Sequence, residues 1–131
     1  MNLAFQKYQQ SSVQTAPPSQ LLIMLYDGAI RFVKQGITGI NNKDYAVANT
    51  NLIKAQAVVN ELNAALDHKY SIADNLSKLY EYMSYKLIQA NIQKNSAFAE
   101  EILDHLVELR DTWKECAKIV AASEDQKEVI L

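Results

Sequence analysis

Glycine and proline are scarce in this 131-residue chain: Pro17 and Pro18 stand side by side, the three glycines are Gly28, Gly36 and Gly39, and neither type occurs from residue 40 onward. A chain so poor in turn-forming residues excludes a fold of short strands and tight turns and leaves long helices as the economical solution. A single cysteine, Cys116, excludes an intrachain disulfide;. Thirteen Lys and Arg against fifteen Asp and Glu give a net charge of −2, and the basic residues form no run, so nothing recommends nucleic acid as a partner;. The longest apolar run, residues 21–26, falls far short of a membrane span, and the polar N-terminus lacks the apolar stretch of a signal peptide;. A cytoplasmic protein is expected, built as one domain with a continuous core.

Catalytic signatures are also missing. The chain has two histidines, and a di-iron bundle needs Glu-x-x-His pairs on facing helices; the residues three before His68 and His105 are Ala65 and Ile102. Glu101 with His105, and Asp104 with Glu108, share helix faces at four-residue spacing, but nine charges between residues 99 and 118 describe a solvated face;. No Gly-rich phosphate loop and no Ser/Cys–His constellation is present. The protein is read as a non-enzyme without cofactor or metal. Cys116 falls at a core spacing, which predicts a buried small hydrophobe rather than a nucleophile.

What is present is helical periodicity. Apolar residues recur at steps of three and four through Leu22, Leu25, Ala29, Phe32, Gly36 and Ile40; through Tyr45, Ala48, Leu52, Ala55, Val59, Leu62 and Leu66; through Ile72, Leu76, Leu79, Met83, Leu87 and Ala90; and through Ala99, Ile102, Leu106, Leu109, Trp113, Cys116 and Val120;. The breaks, at 41–44, 67–71 and 95–96, are rich in residues that cap helix N-termini, and Ser71 with Asp74 resembles a capping box;. Pro18 suits the first turn of the first helix. The prediction is an all-α, antiparallel up-down four-helix bundle over residues 17–120, preceded by a leader, residues 1–16, able to form a short cap helix or plug, and followed by a tail, 121–131. The glycines are assigned to close helix packing.

Charge is distributed unevenly. The second helix carries only Lys54 and Glu61, which fall on a line opposite the core seam. Beside that line run an uncharged stripe of Ala46, Ile53, Ala57, Asn60 and Ala64, and on its other flank Val47, Asn51, Val58 and Ala65. The third helix adds Tyr85, Ile88 and Ile92 opposite its own seam. Exposed low-charge surface of that extent marks a protein interface, suited to a helical or extended segment whose backbone approaches small side chains closely. Leu3, Phe5, Tyr8 and Val13 in the leader are enough to dock weakly on the same bundle.

The stretches YQQSSVQTAPPSQLLIMLYDGAI (8–30), IADNLSKLYEYM (72–83), LIQANI (87–92) and LRDTW (109–113), with the Lys54-Ala55 pair, resemble in order the bacterial flagellar secretion chaperone family, FliS, over residues 8–116. The resemblance implies a cytoplasmic bundle that binds the disordered C-terminal segment of flagellin, prevents premature polymerisation and assists delivery to the flagellar export apparatus, with a further flagellar regulator as a possible partner. It also implies that Tyr8 covers a hydrophobic pocket and yields when flagellin binds. The expected flagellin-binding residues are Tyr8, Ala46, Ile53, Ala57, Asn60, Ala64, Tyr85 and Ile88. Two departures stand out: Pro17 replaces the family's usual Ser, removing a hydroxyl cap, and Tyr85 occupies a commonly basic position. The alternative is a bundle that self-associates without chaperone activity, and the expected state is a monomer or weak homodimer.

Overall fold

The computed structural model describes residues 18–130, with side chains from 20 to 123. Four helices follow one another: α1 (Pro18–Asn41), α2 (Tyr45–Ala64), α3 (Ile72–Gln93) and α4 (Ser96–Ile130). Helix α1 packs against α2 and α4, and α3 against the same two, so sequence neighbours are spatial neighbours and the ring closes between first and last;. The described residues form an all-α, antiparallel four-helix bundle. Its core is the predicted seam: Ala29, Phe32, Ala48, Leu52, Val59, Leu76, Met83, Leu87, Ile102 and Leu106 are buried together;.

Helix ends show how the chain turns without glycine. Asp44 accepts from the Val47 backbone N–H at 3.3 Å and caps α2; Asn95 accepts from the Ala97 N–H at 3.0 Å at the start of α4;. Left-handed backbone falls on lysines, Lys43 (φ 56°) and Lys94 (φ 50°), because no glycine follows Gly39;. The capping box expected at Ser71 does not form. Ser71 is itself helical (φ −63°, ψ −30°) and makes no side-chain capping bond, and Asp74 faces His68 at 3.3 Å instead.

Two glycines in α1 permit close approach, as expected. A Cβ at Gly36 would lie 2.7 Å from the Leu52 side chain, and one at Gly39 would lie 2.6 Å from the Ala48 backbone nitrogen. Gly28 has no such neighbour within 4 Å.

Helix α4 has 35 residues against 20 to 24 for the others, about 52 Å at 1.5 Å per residue;. It therefore outruns the bundle. Its seam is buried at Ala99, Ile102 and Leu106, partly buried at Leu109 and Trp113, and exposed at Cys116 and Val120. Cys116 is thus not the buried hydrophobe its spacing predicts: the periodicity continues past the point where neighbouring helices end. Residues 121–130 continue the same helix. Tyr45 and Ile72, first residues of α2 and α3, are likewise exposed seam positions at bundle ends.

Candidate functional site: the uncharged face of α2 and α3

Helix α2 buries Ala48, Leu52, Ala55, Val58, Val59 and Leu62. The two predicted flanks separate. Val58 turns into the core, while Val47 and Asn51 line a shallow groove with Lys34, Gln35 and Thr38 of α1. The other flank, Ala46, Ile53, Ala57, Asn60 and Ala64, is exposed along the whole helix. Lys54 does not stand outward as expected; its ammonium lies over the Phe32 ring of α1, 5.7 Å from the centroid;. That leaves Glu61 as the only exposed charge on α2.

Helix α3 continues this surface. Ser84 donates to the Asn60 side-chain oxygen at 3.0 Å, and Asn91 donates to Asn49 at 2.9 Å. These bridges fix the register. Ile53 shares a helical line with Asn49 and Asn60, and Ile88 shares one with Ser84 and Asn91, so both isoleucines lie between the bridges;. They are 51% and 39% exposed, and Tyr85, one position along α3, is 58% exposed. Seven of the eight residues predicted for the site therefore lie on the exposed faces of two adjacent, antiparallel helices. Tyr8 lies outside the described residues.

A second feature was not foreseen from spacing. At the end of the bundle where α2 passes into α3, Leu22, Leu62, Leu66, Leu76, Tyr80 and Trp113 line an apolar pocket of about 200 Å³, with Asp67 the only acidic or basic residue of its lining among the described residues. Behind it, Trp113 donates its indole N–H to the Tyr26 hydroxyl at 3.2 Å, and Tyr26 and Tyr80 share a hydrogen bond of 2.5 Å. Both tyrosines are fully buried core members from α1 and α3. Arg110, one turn before Trp113, donates to Asp27 at 3.1 Å, so polar contacts tie α4 to α1 at Tyr26 and at the residue after it. Tyr82, on the outer side of α3, donates to Glu101, which raises its phenol pKa.

Burial pushes the Tyr80 phenol far above the ordinary value of 10.0, and the contact with Tyr26 adds to the effect; burial also raises Tyr26, against the opposing influence of its hydrogen bonds with Tyr80 and Trp113;. A phenol whose pKa rises on folding stabilises the native state fully below the unfolded-state value. That contribution is lost as pH climbs from about 10 through the raised value, by up to about 1.4 kcal/mol per pH unit and per phenol. Tyr80→Phe should therefore flatten the fall in stability above pH ~10 in urea unfolding followed by circular dichroism. An unchanged alkaline limb would contradict the assignment.

Comparison with known proteins now adds to this geometry. The family described as flagellar protein FliS matches residues 1–120. The chain belongs to the FliS family. The flagellar secretion chaperone FliS of Bacillus subtilis (strain 168) is 38% identical over 108 residues, covering 82% of this chain and 81% of that protein. The protein of the same name from Salmonella typhimurium is 35% identical over 109 residues, covering 81% of each. A solved structure titled as a flagellar chaperone from bacteria superposes with a TM-score of 0.73 at 20% identity, over 88% of this chain and 95% of that one, in agreement with the bundle fold. No helix among the described residues of this FliS-family chain is long and apolar enough to cross a membrane.

Proposed function

We propose that this protein is a cytoplasmic flagellar secretion chaperone that binds the disordered C-terminal segment of flagellin, prevents its premature polymerisation and assists its delivery to the export apparatus, where a further flagellar regulator can also engage it. The observation that carries the reading is the continuous uncharged face of Ala46, Ile53, Ala57, Asn60 and Ala64 on α2 with Tyr85 and Ile88 on α3. The family and the names of its relatives favour a secretion partner for that face.

The physics of such a partner is consistent with the surface. A disordered segment spends roughly 2 to 5 kcal/mol in becoming ordered, which apolar burial at about 25 cal/mol per Å² must outweigh. A long tract supplies that area better than a compact pocket. Small side chains let the incoming backbone approach, and Asn60 offers a hydrogen bond. The leader acts as a plug: Tyr8 occupies the bundle while flagellin is absent and yields part of the site on binding. Deleting residues 1–16 should leave affinity for a flagellin C-terminal peptide equal or tighter by isothermal titration. A large loss of affinity would make the leader part of the site and overturn its role as a plug.

A further inference from the structure

Among the described residues, left-handed backbone occurs at Lys43 and Lys94, and the antiparallel bundle brings both of these turns to one end. Lys94, the C-cap of α3, takes a conformation that glycine or asparagine usually supplies;. Its side chain is nevertheless held in place. The Lys94 ammonium donates to the Asn91 side-chain oxygen at 2.5 Å and lies over the Tyr45 ring of α2, 5.9 Å from the centroid;. Asn91 in turn donates to Asn49, so the lysine is bonded to the bridge that closes the uncharged tract near Ala46. Among the described residues no carboxylate lies within ion-pair distance of Lys94. An ammonium has more hydrogens than the bond to Asn91 uses, so it can still receive an anion.

The rest of this end favours negative charge as well. Helices α2 and α4 both begin here, neither with an acidic residue in its first turn, and helix N-termini carry partial positive charge;. Asp44 belongs to the same end, but its carboxylate is engaged on the Val47 N–H. At the far end of the tract the sign reverses: Glu61 and Glu81, both exposed, flank the Asn60–Ser84 bridge. A tract positive at one end and negative at the other accepts a chain in one direction.

We infer that Lys94 is the seat of the free C-terminal carboxylate of the bound flagellin segment; the inference rests on the function proposed above and gives the segment its direction. The terminus lies at the Ala46 end, and the chain runs back over Ile53 and Ile88 toward Ala64. A segment that becomes helical turns its negative dipole end to the same place. The terminal carboxylate is present whatever the side chains are, so this seat sets register without reading sequence. The lysine stem is already ordered by Asn91 and Tyr45, and little rotamer freedom is lost when the ion pair forms;.

Two flagellin C-terminal peptides of identical sequence, one ending in the free acid and one in the amide, test this by isothermal titration of the full-length protein. The acid should bind about five- to twentyfold more tightly, between an exposed ion pair and a charge-assisted hydrogen bond. The difference should shrink as salt is raised. Lys94→Gln keeps a side chain able to bond Asn91; it should bring the acid down to the affinity of the amide and leave the amide unchanged. Lys78→Gln, on α3 at the opposite end of the tract, should preserve the difference. Equal binding of acid and amide by the wild type would overturn the seat and leave the chaperone reading intact. A loss in Lys94→Gln shared equally by both peptides would also overturn it, because the lysine would then act through packing. Folded protein that binds neither peptide would overturn the chaperone reading and the seat with it.

Discussion

Gly39→Ala should destabilise the protein by about 2 kcal/mol or more, although the same replacement inside an ordinary helix stabilises it by about 1 kcal/mol. The sign is set by what the new methyl meets. A Cβ at Gly39 would sit 2.6 Å from the Ala48 backbone nitrogen and 3.0 Å from the Asp44 carbonyl oxygen. Both belong to the turn into α2: the Asp44 N–H donates to the Gly39 carbonyl at 2.8 Å, and the Ala48 N–H donates to the Asp44 carbonyl at 3.0 Å. Backbone held by those bonds can retreat only if the α1–α2 hairpin opens. Gly36→Ala is the informative comparison, because its methyl would meet the Leu52 side chain, which can adjust its rotamer within the core;. Urea unfolding should rank Gly39→Ala as the more damaging of the two. Equal or reversed costs would mean that the hairpin, not the glycine, yields.

Ile53→Glu should weaken binding of a flagellin C-terminal peptide at least tenfold while leaving helicity and unfolding midpoint near wild type. Ile53 and Ile88 both lie between two hydrogen-bonded bridges, at the centre of the uncharged tract. A carboxylate there would be desolvated by an incoming apolar segment with no cation on α2 to receive it, since Lys54 leans away over Phe32;. The tenfold loss corresponds to about 1.4 kcal/mol, below the 2 kcal/mol typical of a central interface anchor. Ile53 is half exposed in the free protein, so the fold loses little. Lys118→Gln, on the exposed part of α4, serves as the control of equal charge change and should bind normally. Unchanged affinity in Ile53→Glu would remove α2 from the site.

The parts of this protein legible in its sequence are those governed by local rules. Apolar residues at steps of three and four gave four helices, and the Asn- and Asp-rich breaks placed their ends within a few residues, because capping and periodicity act over one or two turns. The exposed stripe on α2 was legible for the same reason: 100° per residue separates Ala57 from Leu52 whatever the neighbours are. Legibility ended where a residue's fate depends on a distant one. Tyr26 and Tyr80 meet across 54 positions of sequence, and no local pattern marks two tyrosines as hydrogen-bond partners. Cys116 fits the seam as well as Leu106 does, yet whether a seam position is covered depends on where three other helices stop. Lys54 was placed outward by helical angle alone, whereas a long side chain can lie back over a neighbouring ring.

Calorimetric titration of the full-length protein with a peptide covering the C-terminal segment of its own organism's flagellin, with circular dichroism of the mixture, tests the central claim most directly. Saturable binding near one to one, with a negative heat-capacity change and added helicity, is the predicted result, since apolar burial and ordering of the segment must occur together. No heat and no added helicity, from protein shown to be folded in the same cell, would contradict the chaperone reading and return the α2–α3 face to self-association.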